Sequence, residues 1–104
     1  MFARHVSIHL KSNMLSDYTR TFENDTLPLL RQQKGFKDEI TLSNPGSLDV
    51  FAISLWDSKA NTEAYNTNAY PQVLRKFERM IDGTPKVQTF EAVASTFHKV
   101  AVAV

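Results

Sequence analysis

Leu48-Asp49-Val50-Phe51-Ala52-Ile53-Ser54-Leu55-Trp56-Asp57-Ser58 is the stretch that decides the architecture. Side chains alternate along a strand, so residues 48–56 place Leu48, Val50, Ala52 and Trp56 on one face and Phe51, Ile53 and Leu55 on the other. Both sets are apolar, and a strand of this kind is covered on both sides of its sheet. Asp57-Ser58 opens a helix directly behind it, and a broken helical pattern runs on to Ile81, before Asp82-Gly83. A chain of 104 residues holds enough helix for one cover. The second cover comes from elsewhere, most simply from a second copy of the chain.

Working outward from that strand, the same alternation appears at the N-terminus. Phe2, Val6, Ile8 and Leu10 share a face with Arg4, and Ala3, His5, Ser7 and His9 take the other. Lys11-Ser12-Asn13 ends this strand, and Ser12 or Asn13 is suited to cap the helix that follows. Leu15, Tyr18, Phe22, Leu29 and Leu30 repeat at helical spacing, with Pro28 inside the run predicting a kink or break over residues 24–28. Arg31 and Lys34 favour the helix C-terminus, and Gly35 its left-handed cap. Residues 36–42 read as a second strand, with Phe36, Asp38, Ile40 and Leu42 on one face. Pro45-Gly46 is a type II turn pattern, so strands two and three form a hairpin. Ala60, Ala64 and Tyr65 mark a short helix, weakened at Asn66-Thr67-Asn68 and restarted at Pro71. Tyr70, Val73, Leu74, Phe77 and Ile81 continue its apolar stripe. A fourth strand is expected over residues 87–100, with Val87, Val93 and Phe97 on one face. Residues 100–104 extend it, cross to a partner, or fray.

The order β-α-β-β-α-β is the split βαβ arrangement of a ferredoxin-like α+β fold: a four-stranded antiparallel sheet with helices on one face. Residues 1–104 form a single domain. The open sheet face carries Phe51, Ile53 and Leu55, an apolar patch of the kind that marks an interaction surface. Symmetric pairing of two sheets would bury it in a homodimer.

Composition excludes several function classes. Twelve basic residues against eleven acidic ones give a formal charge of +1, with no basic run to collect phosphates. Nucleic acid and anionic membranes are not expected partners. Arg75, Lys76 and Arg79, interrupted by Phe77 and Glu78, read as a solvated helix face. The absence of cysteine rules out disulfides, thiolate catalysis and cysteine-bound metal clusters, and fits a reducing compartment. Residues 1–10 carry Arg4, His5 and His9 and no apolar signal core, and no apolar run is long enough to span a bilayer. The expected location is the cytoplasm.

Val6-Ser7-Ile8-His9-Leu10-Lys11, the Pro28-Leu29-Leu30 to Gly35-Phe36 joint, and Ile53-Ser54-Leu55-Trp56-Asp57-Ser58-Lys59 followed by Ala64-Tyr65 stand out as three pieces. In these pieces the chain resembles antibiotic biosynthesis monooxygenase domains, which are dimeric α+β barrels. The resemblance implies a homodimer with a small-molecule pocket between sheet and helices. It also implies, for one branch, oxygenation of phenols without flavin, metal or haem: the substrate's own anion passes an electron to dioxygen. Positioning the anion and excluding water is then the protein's task. The leading expectation is a cofactor-independent monooxygenase acting on a small aromatic or quinone-like compound. The alternative is a non-catalytic small-ligand-binding or stress-related dimeric barrel, and a third possibility is a structural module with no pocket. A haem-degrading branch needs asparagine, tryptophan and an iron-ligating histidine where this chain has Val6, Tyr65 and Arg75. Arginine cannot ligate iron, so no haem is expected.

The candidate residues follow from chemistry and position. Trp56 either walls an aromatic pocket with its indole N–H or is a plain core aromatic. Ala52 and Ser54 beside it leave room for a ligand, or let a helix approach. Tyr65 and Tyr70 flank the helix break and offer hydroxyls to a substrate oxygen. Arg4 stabilises a phenolate if its face meets the helices, and otherwise pairs with a carboxylate at the sheet edge. Trp56, Tyr65 and His98 are the catalytic candidates; Arg4, Trp56, Tyr65 and Tyr70 are the substrate-binding ones. His98 qualifies as a proton acceptor near neutral pH. His5 and His9 lie about 13 Å apart along a strand, too far to share a metal ion, and no metal site is expected.

Overall fold

The computed structural model of the protein describes residues 1–100. Alternation becomes strand where it is expected: β1 is Phe2–His9, β2 is Phe36–Ser43 and β3 is Asp49–Trp56. With β4 (Lys86–Glu91) they form one antiparallel sheet in the order β2-β3-β1-β4. The helices lie between these strands in the ferredoxin-like order. Helix α1 (Leu15–Thr21) passes through a π-helical turn at Phe22–Thr26 into α2 (Leu27–Arg31), and α3 (Lys59–Asn68) breaks at Ala69 before α4 (Tyr70–Phe77) and a 3₁₀ turn (Glu78–Met80). The expected break near Pro28 is the π turn: proline occupies the first turn of α2, where its missing donor costs nothing. The helix expected to open at Asp57-Ser58 does so, and Ser58 caps α3, its hydroxyl accepting from the Asn61 N–H at 3.1 Å. Helix α1 has no side-chain cap, contrary to expectation. Asn13 instead turns the chain through a positive φ of 64°, which asparagine tolerates.

Register explains the faces. Residues opposite one another in an antiparallel pair point the same way. Phe2, Trp56 and Phe36 form one row on the helix side, and Val6, Ala52 and Thr41 another. Between these apolar rows runs Arg4–Ser54–Glu39. The opposite face carries Ala3–Leu55–Asp38, His5–Ile53–Ile40 and Ser7–Phe51–Leu42. Strand β2 departs from the sequence reading here. Its register slips between Phe36 and Asp38, so Phe36 packs against Trp56 on the helix side while Asp38, Ile40 and Leu42 face outward. A bulge adds one residue and reverses the alternation beyond it.

The core lies between sheet and helices. Trp56 is fully buried against Phe36 and Tyr65, and Tyr18 against Phe22 and Phe77. Such aromatic pairs contribute about 0.5–1.5 kcal/mol each beyond area burial. Strand β4 is shorter than expected. Among the described residues it hydrogen-bonds only to β1, and Ala92 N–H donates to the Met1 carbonyl where β1 ends, so the ladder finds no further partner among them. Residues 92–98 then lead to the far edge of the sheet, where the His98 imidazole meets the Asp38 carboxylate. Val93 and Phe97 are therefore exposed loop residues and not a strand face. The expectation for residues 100–104 falls, beyond Val100, outside the described residues.

Gly35 joins α2 to β2 at φ +82°, with its carbonyl accepting from the Asp57 N–H at 2.8 Å. A Cβ there would sit 2.2 Å from Asp57 Oδ1 and 2.8 Å from Asn61 Cβ. Gly46, at φ +80° in the hairpin turn, has nothing within 4 Å of that position. Gly46→Ala is expected to cost only the left-handed backbone penalty, about 1–2 kcal/mol. Gly35→Ala adds steric displacement of the α3 start and is expected to cost more. Urea unfolding of the two variants checks the order.

Candidate functional site

Among the described residues, the only strongly basic side chain in the core belongs to Arg4. It sits on the helix side of β1 and is 3% exposed. Its guanidinium lies 4.0 Å from the Tyr70 ring centroid and 5.1 Å from that of Tyr65. One N–H donates to Asn66 Oδ1 at 2.8 Å. Among the described residues no carboxylate stands within 4.0 Å of it, and its Nε has no partner. Burial pushes the pKa of Arg4 down, and the nearby Tyr65 and Tyr70 hydroxyls oppose that. A guanidinium remains charged in such a setting. The break between α3 and α4 is what presents the two rings: it puts Tyr65 in the last turns of α3 and Tyr70 at the start of α4, with centroids 6.3 Å apart. Arg4, Tyr65 and Tyr70, proposed separately from the sequence, thus converge.

Trp56 does not join them as a ligand-contacting group. Its indole N–H donates to Ser54 Oγ at 2.9 Å, and its ring is sealed beneath Tyr65 and Phe36. It supports Tyr65 from behind, the core-aromatic alternative. His98 is likewise removed from the cluster, because Asp38 faces outward with Leu55 on the opposite side of the sheet. His5 also faces that side, between Phe51 and Phe90, while His9 pairs with Asp49 at 2.9 Å. No group of three or more metal-ligating side chains is found among the described residues.

The space beside Arg4 is narrow. A cavity of about 40 Å³ is lined by Arg4, Ser54, Tyr65, Tyr70, Glu39 and Thr26, with apolar walls around them. It holds a few waters at ~10–15 Å³ each. Much of the rest of the sheet–helix space is taken by Tyr18, Phe22 and Phe77. A wider pocket of about 270 Å³ lies next to it, under the π turn and along β2, and the two share Tyr18, Phe22 and Glu39. Thr26 is buried in that π turn, and its hydroxyl has no hydrogen-bond partner among the described residues. Irregular turns of this type recur at functional sites.

Glu39 was not singled out from the sequence, because an unbroken β2 alternation turns it to the outer face. The bulge brings it into the cleft. Thr41 Oγ1 donates to its Oε2 at 2.8 Å. Burial pushes its pKa up to about 7, which the Thr41 bond partly opposes. Burial also raises the Tyr65 hydroxyl to about 12 and lifts Tyr18 higher still. The cleft therefore combines a fixed cation, neutral phenols and a carboxylate poised near neutrality.

No family model and no curated protein matches the chain. Solved structures do. A protein of unknown function from Nitrosomonas europaea superposes with a TM-score of 0.76 at 16% identity, over 98% of this chain and 95% of that one. An antibiotic biosynthesis monooxygenase gives 0.71 at 12% identity, over 90% and 100%. A variant of SnoaB, a cofactor-independent oxygenase from Streptomyces nogalater, gives 0.74 at 13% identity, over 91% and 95%. The chain has the fold of the antibiotic biosynthesis monooxygenase domains. At these identities the likeness is one of monooxygenase-type fold, and the chemistry rests on this chain's own residues. No described helix is long and apolar enough to cross a membrane.

The raised Glu39 pKa has a sign in stability. A carboxyl that titrates at about 7 when folded, against 4.5 ordinarily, holds its proton more tightly in the native state. Its contribution is fully present below the ordinary value and is lost as pH rises through the folded one. Glu39→Gln is expected to flatten the fall in urea midpoint between those two pH values while leaving the acid limit unchanged.

Proposed function

We propose that the protein is a cofactor-independent monooxygenase that binds the anion of a small aromatic or quinone-like compound in the sheet–helix cleft. The observation that carries this reading is the buried Arg4 guanidinium with no carboxylate of the described residues beside it. A desolvated cation is costly unless an anion or strong dipoles meet it. Two tyrosine faces and one amide supply part of that, and a ligand phenolate or enolate supplies the rest. Aromatic walls suit a planar ring, and their exclusion of water strengthens every charge interaction inside. The anion's electron-rich form is the one that reduces dioxygen, so the protein needs to stabilise and shield it. The fold shared with SnoaB supports the same reading.

A second copy completes the molecule in this proposal. In the single chain Ile40, Leu42 and Phe90 are exposed on the outer sheet face, and Phe51, Ile53 and Leu55 are only half-buried. Sheet-to-sheet pairing would remove this surface from water. A ligand binder without turnover is the second reading, favoured by the small size of the inner cavity.

Oxygen uptake with a panel of hydroxylated arenes separates these readings. Uptake is expected, and Arg4→Met is expected to lower kcat/KM by about 10²-fold, the scale of losing one charge-stabilising group. Tight binding with no uptake by any arene leaves the binder. Light scattering is expected to report about twice the 11.8 kDa chain mass. A well-folded single-chain particle at high dilution removes the dimer.

A further inference from the structure

The cleft holds an acid–base arrangement that the sequence reading and the shared fold do not assign. Glu39, Ser54 and Arg4 stand in one row across β2, β3 and β1, all on the helix side. The two charged residues are two strand spacings apart, roughly 10 Å between Cα atoms. They make no ion pair. The residue between them is small, and its hydroxyl is already engaged by the Trp56 N–H. A gap is thus left over Ser54, with a cation on one side and a carboxylate on the other. Glu39 also belongs to both spaces: the inner cavity with Arg4, and the wider pocket bounded by Leu15, Tyr18, Phe22 and Leu27.

We propose that Glu39 is the proton acceptor of this site, and that its ligand is a hydroxylated aromatic ring lying in the wider pocket with its acidic oxygen directed past Glu39 toward Arg4. The ligand's O–H bond breaks, its electron pair stays on the ligand oxygen beside the Arg4 guanidinium, and the proton forms an O–H bond on Glu39. No oxidant enters this step. Thr41 occupies only one carboxylate oxygen, and no other hydrogen bond to this carboxylate is found among the described residues. The size of the two spaces agrees with this pose, since about 40 Å³ admits an oxygen and its neighbours while about 270 Å³ admits a ring.

The groups facing Glu39 are compatible with the role. Burial holds the phenols of Tyr18 on α1 and Tyr65 on α3 neutral; Tyr70 lies on α4, Thr41 on its own strand, Arg4 on β1, and Glu23 of the π turn stands at the outer pocket. Burial brings the carboxyl to about 7, where it is ionised enough to accept a proton and basic enough to hold one.

This inference rests on the anion-binding reading above, and its test separates the two. The probe is para-hydroxyacetophenone, whose anion absorbs at longer wavelength than its neutral form. It is titrated into the whole protein under argon, in weak buffer with an indicator dye, just above the Glu39 value of about 7. The wild type is expected to bind the probe as the anion without releasing a proton to the buffer. Glu39→Gln is expected to bind it within about tenfold, ~1.4 kcal/mol, either neutral or with one proton released. Thr41→Val, which keeps the carboxyl but removes the hydrogen bond favouring its charged form, is expected to move the midpoint of the anion signal to higher pH. Proton release by the wild type, a neutral bound probe, or an unmoved Thr41→Val midpoint overturns Glu39 as acceptor while the anion site stands. Failure of the wild type to bind the probe overturns the site itself, and this inference with it.

Discussion

A positive charge sealed under two tyrosine rings is the constraint around which the cleft is built. Arg4 lies on the central part of the sheet, flanked by apolar rows, where an uncompensated ion is expensive. Its surroundings reduce that cost in stages: the Tyr70 and Tyr65 faces by their quadrupoles, the Asn66 amide by a hydrogen bond. Its Nε has no further hydrogen-bond partner among the described residues. The α3–α4 break at Ala69 serves the same end, since a continuous helix would not bring residues five apart onto one cation.

The carboxylate side of the cleft depends on a one-residue irregularity. Without the bulge after Phe36, strand β2 would send Glu39 to the outer face and Ile40 to the cleft. With it, Phe36 still closes the core against Trp56 while Glu39 joins the row of Ser54 and Arg4. Gly35 holds the start of this strand tightly against the start of α3, through the Asp57 N–H and the contacts that admit no side chain. One tight joint therefore anchors both the strand that carries Glu39 and the helix that carries Tyr65.

The two faces of the sheet have separate roles. The helix side is closed, aromatic and polarised along one row. The outer side is apolar over β2 and β3, with the His98–Asp38 contact at its rim. Trp56 and His98, both candidates on chemical grounds, are assigned by this division: the first to the support of Tyr65, the second to the far face.

Alternation and helical spacing in the sequence determined the element order, the hairpin at Pro45-Gly46, the break around Pro28 and the two-sided character of β3. These are local patterns, set by backbone geometry within a few residues. The convergence of Arg4 with Tyr65 and Tyr70 was legible only as a list of suitable side chains, because it requires strand and helix to meet. The inward turn of Glu39 was not legible, since a single-residue bulge leaves no mark in composition and reverses every later side chain. The end of β4 at Glu91 was hidden for a related reason. A strand persists only while its neighbour offers hydrogen-bonding partners, and where β1 ends is a property of the sheet, not of Val93 or Phe97.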